Sequence, residues 1–585
     1  MSGNWEQAAS WSLGVRPGSS QSVMITNQLW KAVAINPSTP VNFPGSMTVN
    51  SLTIRGAWDT QNALLLNYAG TAVPLTVLNG LTLADGARIL NFNSGLVVQG
   101  GTFTVTNSQI IQEGGFTRTT NAQMYLQSSD YNLTNGVFEG GEVLLGLPVS
   151  ASFNQYGGSA TISNLVFGRG NPSAGGHYSL YGGNLTLPNG LTLMGGNNAF
   201  SSYFQAGGTN RTTTVFLEPN LFGISPQFTL NGGLLADYDV NLQGDNFGRI
   251  SIEQNGGAHV ITNTLSLTGG ARGPGDSRPA DYRLNGGTLS AGSINLNATW
   301  GDAGFSQSNG VAQVGNIQGN GSGSQNYFTT GVGLYGGALT TSNLFVNDGG
   351  HIYQSGGALT VSKTLGFSGY IEPGTKLYAS YTFLGGTLFA SDIFVGGKWI
   401  IGDSSVANRI TNPGTVTLSQ SLQISNAVEQ LGHFILASSA TIDLAGSASR
   451  LSFANSSGQT WASGATLVVS NWNGNAAGGG PEQLKFGSNQ SGLTPAQLSQ
   501  IRFSSLTNLY PAKILSTGEV VPVQPSGQNV IYSRQGSNLV LTWPSGWTLQ
   551  SATNVVGPYL DVPGATSPSS YNVTSEPQRF FRLRQ

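Results

Sequence analysis

The sequence predicts an all-β chain: a right-handed parallel β-helix of about 25 residues per coil, followed by a small β-sandwich. Three observations carry this. First, a double glycine, or an Asn-Gly equivalent, begins at Gly157, Gly182, Gly207, Gly232, Gly256, Gly286, Asn309, Gly336, Gly356 and Gly385. A near-constant period of this length marks a solenoid. Second, four residues before each pair stands a β-former (Phe153, Tyr178, Tyr203, Phe228, Ile252, Tyr282, Phe305, Val332, Ile352, Tyr381). Two residues before it, Gln155, Gln205, Gln254, Gln307 and Gln354 alternate with Leu180, Leu230, Leu284, Leu334 and Phe383. Residues two apart share one face of a strand, so the two columns lie side by side and the repeating unit is a pair of coils. Third, there are 84 glycines in 585 residues and only 8% charged residues, against roughly 25% charged in an ordinary domain. Glycine suits tight corners, and like charges one strand spacing apart would repel. The 38% of hydrophobic residues recur periodically, which excludes a disordered Gly/Ser/Asn-rich chain.

Taken in order, residues 1–50 hold Trp5, Trp11 and Trp30 and no double glycine. Large aromatics ahead of the repeats suit a cap over the first coil, whose backbone edge and apolar columns would otherwise be open. Residues 51–470 are expected to form the β-helix, in roughly 15–18 coils of three short strands each. The earliest coils are less regular, and Glu113-Gly114-Gly115 and Glu139-Gly140-Gly141 read as their corners, with Gln112 and Phe138 opening the alternation. Past Gly397 the double glycine fades, but strands such as Thr415-Val416-Thr417-Leu418 continue. Residues 471–520 are assigned to a C-terminal cap with the one clear helix, about 495–500, because Thr494-Pro495 offers an N-cap and a first-turn proline. Residues 521–585 carry short strands between turn residues and read as a fibronectin- or Ig-like β-sandwich.

Composition bounds function. A formal net charge of −2 supplies no field for nucleic acid, and no apolar run approaches the ~18 residues that span a bilayer. The absence of cysteine excludes disulfides, thiolate metal sites and cysteine nucleophiles. No His-x-x-x-His spacing or recurring Asp suggests a metal, so neither metal nor cofactor is expected. The start, Met1-Ser2-Gly3-Asn4-Trp5, lacks the basic segment and apolar core of a signal peptide. The composition leads us to expect an exported protein whose leader has been removed.

Candidate chemistry is sparse. Glu113 and Glu139, each before a double glycine and about one coil apart, would form a carboxylate pair of glycosidase type if stacked outward. Two solvated carboxylates are the alternative. The segment holding Arg272, Asp276, Arg278, Asp281 and Arg283 coincides with the longest repeat spacing and is expected to be an exterior loop, either merely solvated or contacting an anionic sugar or a partner. Asp237, Asp239, Asp245, Arg249 and Glu253 read as a scattered acidic face. His177, His259, His351 and His433 fall at different phases of the repeat and read as surface residues. The residue after the Gln/apolar column should point outward; it includes Tyr156, Tyr181, Asn231, Asn255, Asn285 and Tyr335 and contains no Lys or Arg between Tyr156 and Leu384. Stacked rings and amides there suit a neutral glycan, and equally suit ladders that bind nothing.

Repeats such as Tyr282-Arg283-Leu284-Asn285-Gly286-Gly287-Thr288-Leu289-Ser290-Ala291-Gly292 resemble the autotransporter-associated β-strand repeats of large secreted or surface proteins of bacteria. Leu467 to Phe503, with Ser470-Asn471-Trp472-Asn473-Gly474 and Gly492-Leu493-Thr494-Pro495, resembles the module that often closes such repeats. The tail from Leu541-Thr542-Trp543 to Arg579-Phe580-Phe581-Arg582-Leu583 is similar to the fibronectin-like module at their end. The resemblance implies an extracellular or cell-surface location and says little of activity. The sequence shows neither a translocator barrel nor a C-terminal membrane helix with a basic tail, so self-export and sortase-like anchoring are not expected. Three functions follow as expectations: a structural or adhesive solenoid contacting extracellular polysaccharide, a polysaccharide lyase or glycoside hydrolase of pectate-lyase-like type, or a subunit that assembles with copies of itself into fibres.

Overall fold

Why each coil closes is visible in the coil that begins at Ala151. Along Ala151–Gln155 burial alternates, with Ala151, Phe153 and Gln155 inside and Ser152 and Asn154 outside, as an extended strand over a core requires. The chain then turns at Gly157-Gly158. At the equivalent corner three coils on, Gly233 has φ +76°, and a methyl group there would stand 2.3 Å from the carbonyl oxygen of Gly208. Its neighbour Gly232 is in ordinary backbone, yet a methyl there would lie 2.3 Å from the Ala206 oxygen. Left-handed geometry thus fixes the second glycine, and the close approach of the coil below fixes the first. Beyond the corner the expected second and third strands often run on as one, as in Ser159–Phe167, Thr288–Asn297 and Ala338–Asn347. The bend between them is absorbed by a register shift such as the one between Thr341 and Leu344, a bulge rather than a break.

The structure, a computed structural model, describes residues 2–26, 28–56, 61–146, 149–167, 175–194, 201–218, 225–244, 248–271, 277–298, 301–321, 330–369, 379–505, 508–523, 530–543, 547–576 and 578–584. It is a parallel β-solenoid of about 16 turns and about 25 residues per coil, with 61% of residues in strands and 4% in helices. No described helix is long and apolar enough to cross a membrane. Gln155, Leu180, Gln205, Leu230, Gln254, Leu284, Gln307, Leu334, Gln354 and Phe383 align rung over rung. Before them the column continues through Gln112 and Leu133. The alternation therefore starts with Leu133, not Phe138, and the corner of that coil is Asn135-Gly136, with Gly136 at φ +90°. Gly140 and Gly141 lie inside the strand Val137–Leu145.

The glutamines face the core and are fully buried. The Gln155 side-chain NH2 donates to the Gly158 oxygen of its own corner at 3.3 Å and to the Asn184 oxygen of the next coil at 2.9 Å. Its amide oxygen accepts from the Tyr178 hydroxyl of that next coil at 2.6 Å. Gln112 with Tyr131, Gln254 with Tyr282 and Gln354 with Tyr381 repeat the arrangement. In the Gln205 coil, Tyr203 of the same coil supplies the hydroxyl instead. Above Gln307 the next coil offers Val332, and the Gln307 amide oxygen has no partner. This accounts for the alternation: most glutamine coils are followed by a coil that brings a tyrosine hydroxyl over the amide and an apolar residue over the glutamine. The rings of Tyr131, Phe153, Tyr178, Tyr203 and Phe228 stack in one column, with centroids 4.6–6.0 Å apart.

Both end coils are covered. Trp5 is buried, donates from its indole to the Ser46 oxygen at 2.8 Å, and packs edge-on against Trp11. A short helix, Ser38–Asn42, unforeseen in the sequence, follows the second-coil strand Lys31–Ile35. Trp30 takes no part in this cap and is 65% exposed. At the other end the strands Asn508–Ile514 and Glu519–Pro522 turn antiparallel across the last coil, so its edge has a partner that does not propagate. The expected helix forms over Pro495–Leu498, with a reciprocal Thr494/Gln497 capping box. The final residues make two three-stranded antiparallel sheets around Leu541, Trp543 and Leu549.

Two outcomes follow. Tyr178→Phe leaves the Gln155 amide oxygen buried without a donor and lowers the unfolding free energy by about 1–3 kcal/mol in urea denaturation. Burial also pushes the hydroxyls of Tyr178, Tyr203, Tyr282 and Tyr381 well above the ordinary tyrosine value. Folded values above unfolded ones stabilise the fold fully below pH ~10, and this stabilisation is lost as pH rises through the folded values. Phenolate absorbance should then show these rings ionising only in a cooperative step that coincides with loss of β-structure.

Candidate functional site

The first- and second-strand faces that flank the corners carry several of the candidate residues. On the second strand, Glu139 aligns with Arg118 of the coil before it and forms an ion pair with it. Glu113 is exposed at the preceding corner. The two carboxylates therefore lie in different columns, and the expected pair does not form. The reason is the misplaced corner: Gly140-Gly141 is strand, so Glu139 follows the corner instead of preceding it.

The outward column after the Gln/apolar position is exposed from Tyr156 to Leu384, and its members largely satisfy one another. The rings of Tyr156 and Tyr181 stack at 5.0 Å with an interplanar angle of 5°. At about the inter-strand spacing, this means that they lie face to face along the solenoid, and Phe204 closes on Tyr181 edge-on. The Asn255 NH2 donates to the Asn231 side-chain oxygen at 2.9 Å, Asn285 to Asn255 at 2.9 Å, and the Ser308 hydroxyl to Asn285 at 3.0 Å. Ring faces and amides are thus used by the neighbouring coil. Tyr335 differs: its ring folds back across the Cα of Gly333 and is 54% exposed.

Arg272 and Asp276 lie outside the described residues, and Arg278 sits in a two-residue strand paired antiparallel with Gly270–Ala271. Asp281 and Arg283 are not on a loop. They are the two outward positions of the first strand Ala280–Leu284. Arg283 contacts Glu253 at 3.4 Å and Asp281 at 3.2 Å, so its charge is already met by two carboxylates. Burial is the main influence on Asp281 and pushes its carboxyl up, with Arg283 opposing.

The expected acidic face is not one surface. Asp245 lies outside the described residues, Arg249 is exposed, and Asp239 accepts from Asn263 and from the Thr264 backbone. Asp237 instead points into the core, 3% exposed, where it meets His259 at 2.7 Å. His259, expected at the surface, is 1% exposed, and its Nδ1 lies 2.7 Å from the Tyr282 hydroxyl. Because Tyr282 donates to the Gln254 amide oxygen, its own oxygen is left to accept from Nδ1–H, while Nε2 faces Asp237. Burial drives the Asp237 carboxyl upward, and the hydrogen bond and charge of His259 hold it back. The chain Asp237–His259–Tyr282–Gln254 has the connectivity of a catalytic relay, but it is sealed inside the solenoid and works as packing. Parity along the strand is the signal: His259 aligns with the buried Leu235 and Leu289.

The other histidines do not all differ in phase. His177 and His351 occupy one outward column, seven coils apart, each with Nδ1 2.7 Å from a serine of the next coil, Ser202 and Ser380. Burial lowers both their pKa values. His433 contacts the Asn455 oxygen. Among the described residues, no three His, Cys, Asp or Glu side chains come together as a metal site would need. Comparison with protein-family models, curated proteins and solved structures gives no match.

The buried pair is open to a direct test. His259→Leu strands the Asp237 carboxylate in the core and costs about 3–5 kcal/mol. Asp237→Ile combined with His259→Leu matches the neighbouring Ile261 and Leu289 and should restore or exceed the parent stability. A double-mutant cycle in denaturant measures both.

Proposed function

We propose that this chain is an extracellular structural or adhesive solenoid of the autotransporter-associated repeat kind, which holds its outer faces toward glycan or neighbouring surfaces and does not cleave what it touches. The observation that supports this best is the closure of the surface onto itself. Over the coils from Tyr156 to Ser308, rings stack on rings and amides bond amides, so exposed side chains rigidify the stack instead of converging on a substrate. Glu113 and Glu139, the pair on which the hydrolase reading leaned, lie in different columns, and Glu139 pairs with Arg118. The fibre reading finds less support: the Trp5 cap and the antiparallel C-terminal strands cover both end coils, leaving copies to meet by their sides.

Two measurements test the proposal. Incubation with a panel of neutral and acidic polysaccharides should release no reducing ends and no unsaturated products; sustained turnover of any of them would overturn it. Tyr156→Ala should lower stability by about 0.5–1.5 kcal/mol, the worth of a stacked aromatic pair, and leave glycan affinity unchanged. A loss of affinity without loss of stability would make the column a binding platform after all.

A further inference from the structure

Two adjacent coils break the outer relief of the first-strand face. In most coils its two outward positions carry side chains: Ser251 and Glu253, Asp281 and Arg283, His351 and Tyr353, Ser380 and Thr382. Between the Asp281 coil and the His351 coil they are Gly304 with Ser306, then Gly331 with Gly333. Three glycines inside strands weaken them, and none of the three is at a left-handed φ. Nothing lies within 4 Å of where a methyl on Gly331 would sit, so neither backbone nor packing demands glycine there. At Gly304 a methyl would meet the Asp281 carboxylate at 2.9 Å, and at Gly333 the Tyr335 ring at 3.0 Å. Here glycine makes room for a carboxylate and for an aromatic ring.

The result is a depression of about 220 Å³. One wall is Asp281 with Arg283. The other is His351 with Tyr353, whose ring is tilted 43° from that of Tyr335, centroids 5.6 Å apart. Ser306 lies between the two walls. A glycine in a strand interior that no backbone geometry requires often marks the close approach of a ligand.

We propose that this depression is a subsite for one neutral pyranose ring of a glycan, with the Tyr335–Tyr353 wedge against the apolar face of the sugar and the Asp281–Arg283 pair on its hydroxyls. The proposal rests on the adhesive reading above and gives it a place and a ligand class. The size admits a single ring, not a chain laid lengthwise. The charge argues against a uronate as the preferred ligand: Arg283 and Arg249 stand near three carboxylates, Asp281, Glu253 and Asp302, which leaves a local excess of negative charge. The paired ions supply donors and acceptors together, as vicinal hydroxyls need, and the 43° tilt between Tyr335 and Tyr353 opens a wedge that the parallel rings of Tyr156 and Tyr181 do not form.

Gly331→Val tests this on the intact chain. The side chain enters open space, and valine suits a strand better than glycine, so the fold should keep or raise its melting temperature while the depression is filled. The probes are hexaoses of glucose, mannose, galactose and xylose, and polygalacturonate, by isothermal titration. The expected result is that at least one neutral hexaose binds the parent chain and that both Gly331→Val and Tyr353→Ala weaken it by about tenfold or more, whereas Tyr156→Ala does not. Binding that survives Gly331→Val in a folded variant overturns the subsite and leaves an adhesive solenoid binding elsewhere. Preference for polygalacturonate overturns the neutral assignment. Binding of none of the five overturns the subsite, whereas release of reducing ends from a bound hexaose overturns the non-catalytic reading and leaves the subsite standing.

Discussion

The glutamine amide that bridges two coils is the constraint on which the rest of the solenoid depends. A double-glycine corner turns backbone carbonyls toward the interior, and buried carbonyls need donors. At the corner the Gly158 oxygen already accepts from the Asn184 N–H at 2.9 Å, and the Gln155 NH2 adds a second donor to it and one to the Asn184 oxygen, tying the corner to the next coil. An amide brings an oxygen of its own, and an unmet buried acceptor is expensive. The Tyr178 hydroxyl answers it from the next coil. One polar column therefore demands a second, offset by one rung, and the pair of coils becomes the repeating unit. The stacked rings are a consequence: tyrosines placed for their hydroxyls set the spacing in which phenylalanines fill the intervening coils.

This logic explains which parts of the fold could be read from the sequence. The Gln/apolar column is legible because it recurs with a glycine pair whose geometry tolerates no other residue at its second position. The same rule misled in the early coils, where Gly140-Gly141 carries the letters of a corner without its conformation, and the turn is made instead at the Asn-Gly pair Asn135-Gly136. Only a residue at positive φ marks the turn, and Asn-Gly satisfies that as Gly-Gly does. The error moved Glu139 across a corner and created a carboxylate pair that the fold does not contain. Past the corner, inward and outward parity must be counted afresh from the second glycine, which is why His259 and Asp237 passed for surface residues. They lie on inward parity, and the neighbours Leu235, Leu289 and Ile261 show what those positions ordinarily hold.

The candidate site was half legible. Tyr335, Asp281 and Arg283 stand out by residue type, but a sequence gives no reason to place them together, because they lie in coils that are neighbours only after the register is known. What joins them is the residues that carry no chemistry: Gly304, Gly331 and Gly333. In a chain with 84 glycines, these three pass unnoticed until the outward columns are aligned. Then they are the exceptions, since corner glycines are compelled by backbone geometry and Gly331 is not.

A solenoid whose core is fixed by rung-to-rung complementarity has little freedom inside. Changing one coil disturbs the coil above, as the unmet Gln307 amide oxygen beneath Val332 illustrates. The outer face is less constrained, and there side chains can either bond along the column or be withdrawn from it. Bonding along the column yields a rigid, weakly charged rod. Withdrawing side chains from two successive coils yields a recess whose walls are held by the ladders on either side. Recognition by such a protein then needs no loop and no hinge: a rigid rod with a local deletion of side chains presents a preformed cleft, and preformed clefts lose little ordering entropy on binding. For the proposed subsite, such a preformed cleft would hold a sugar without first having to be ordered.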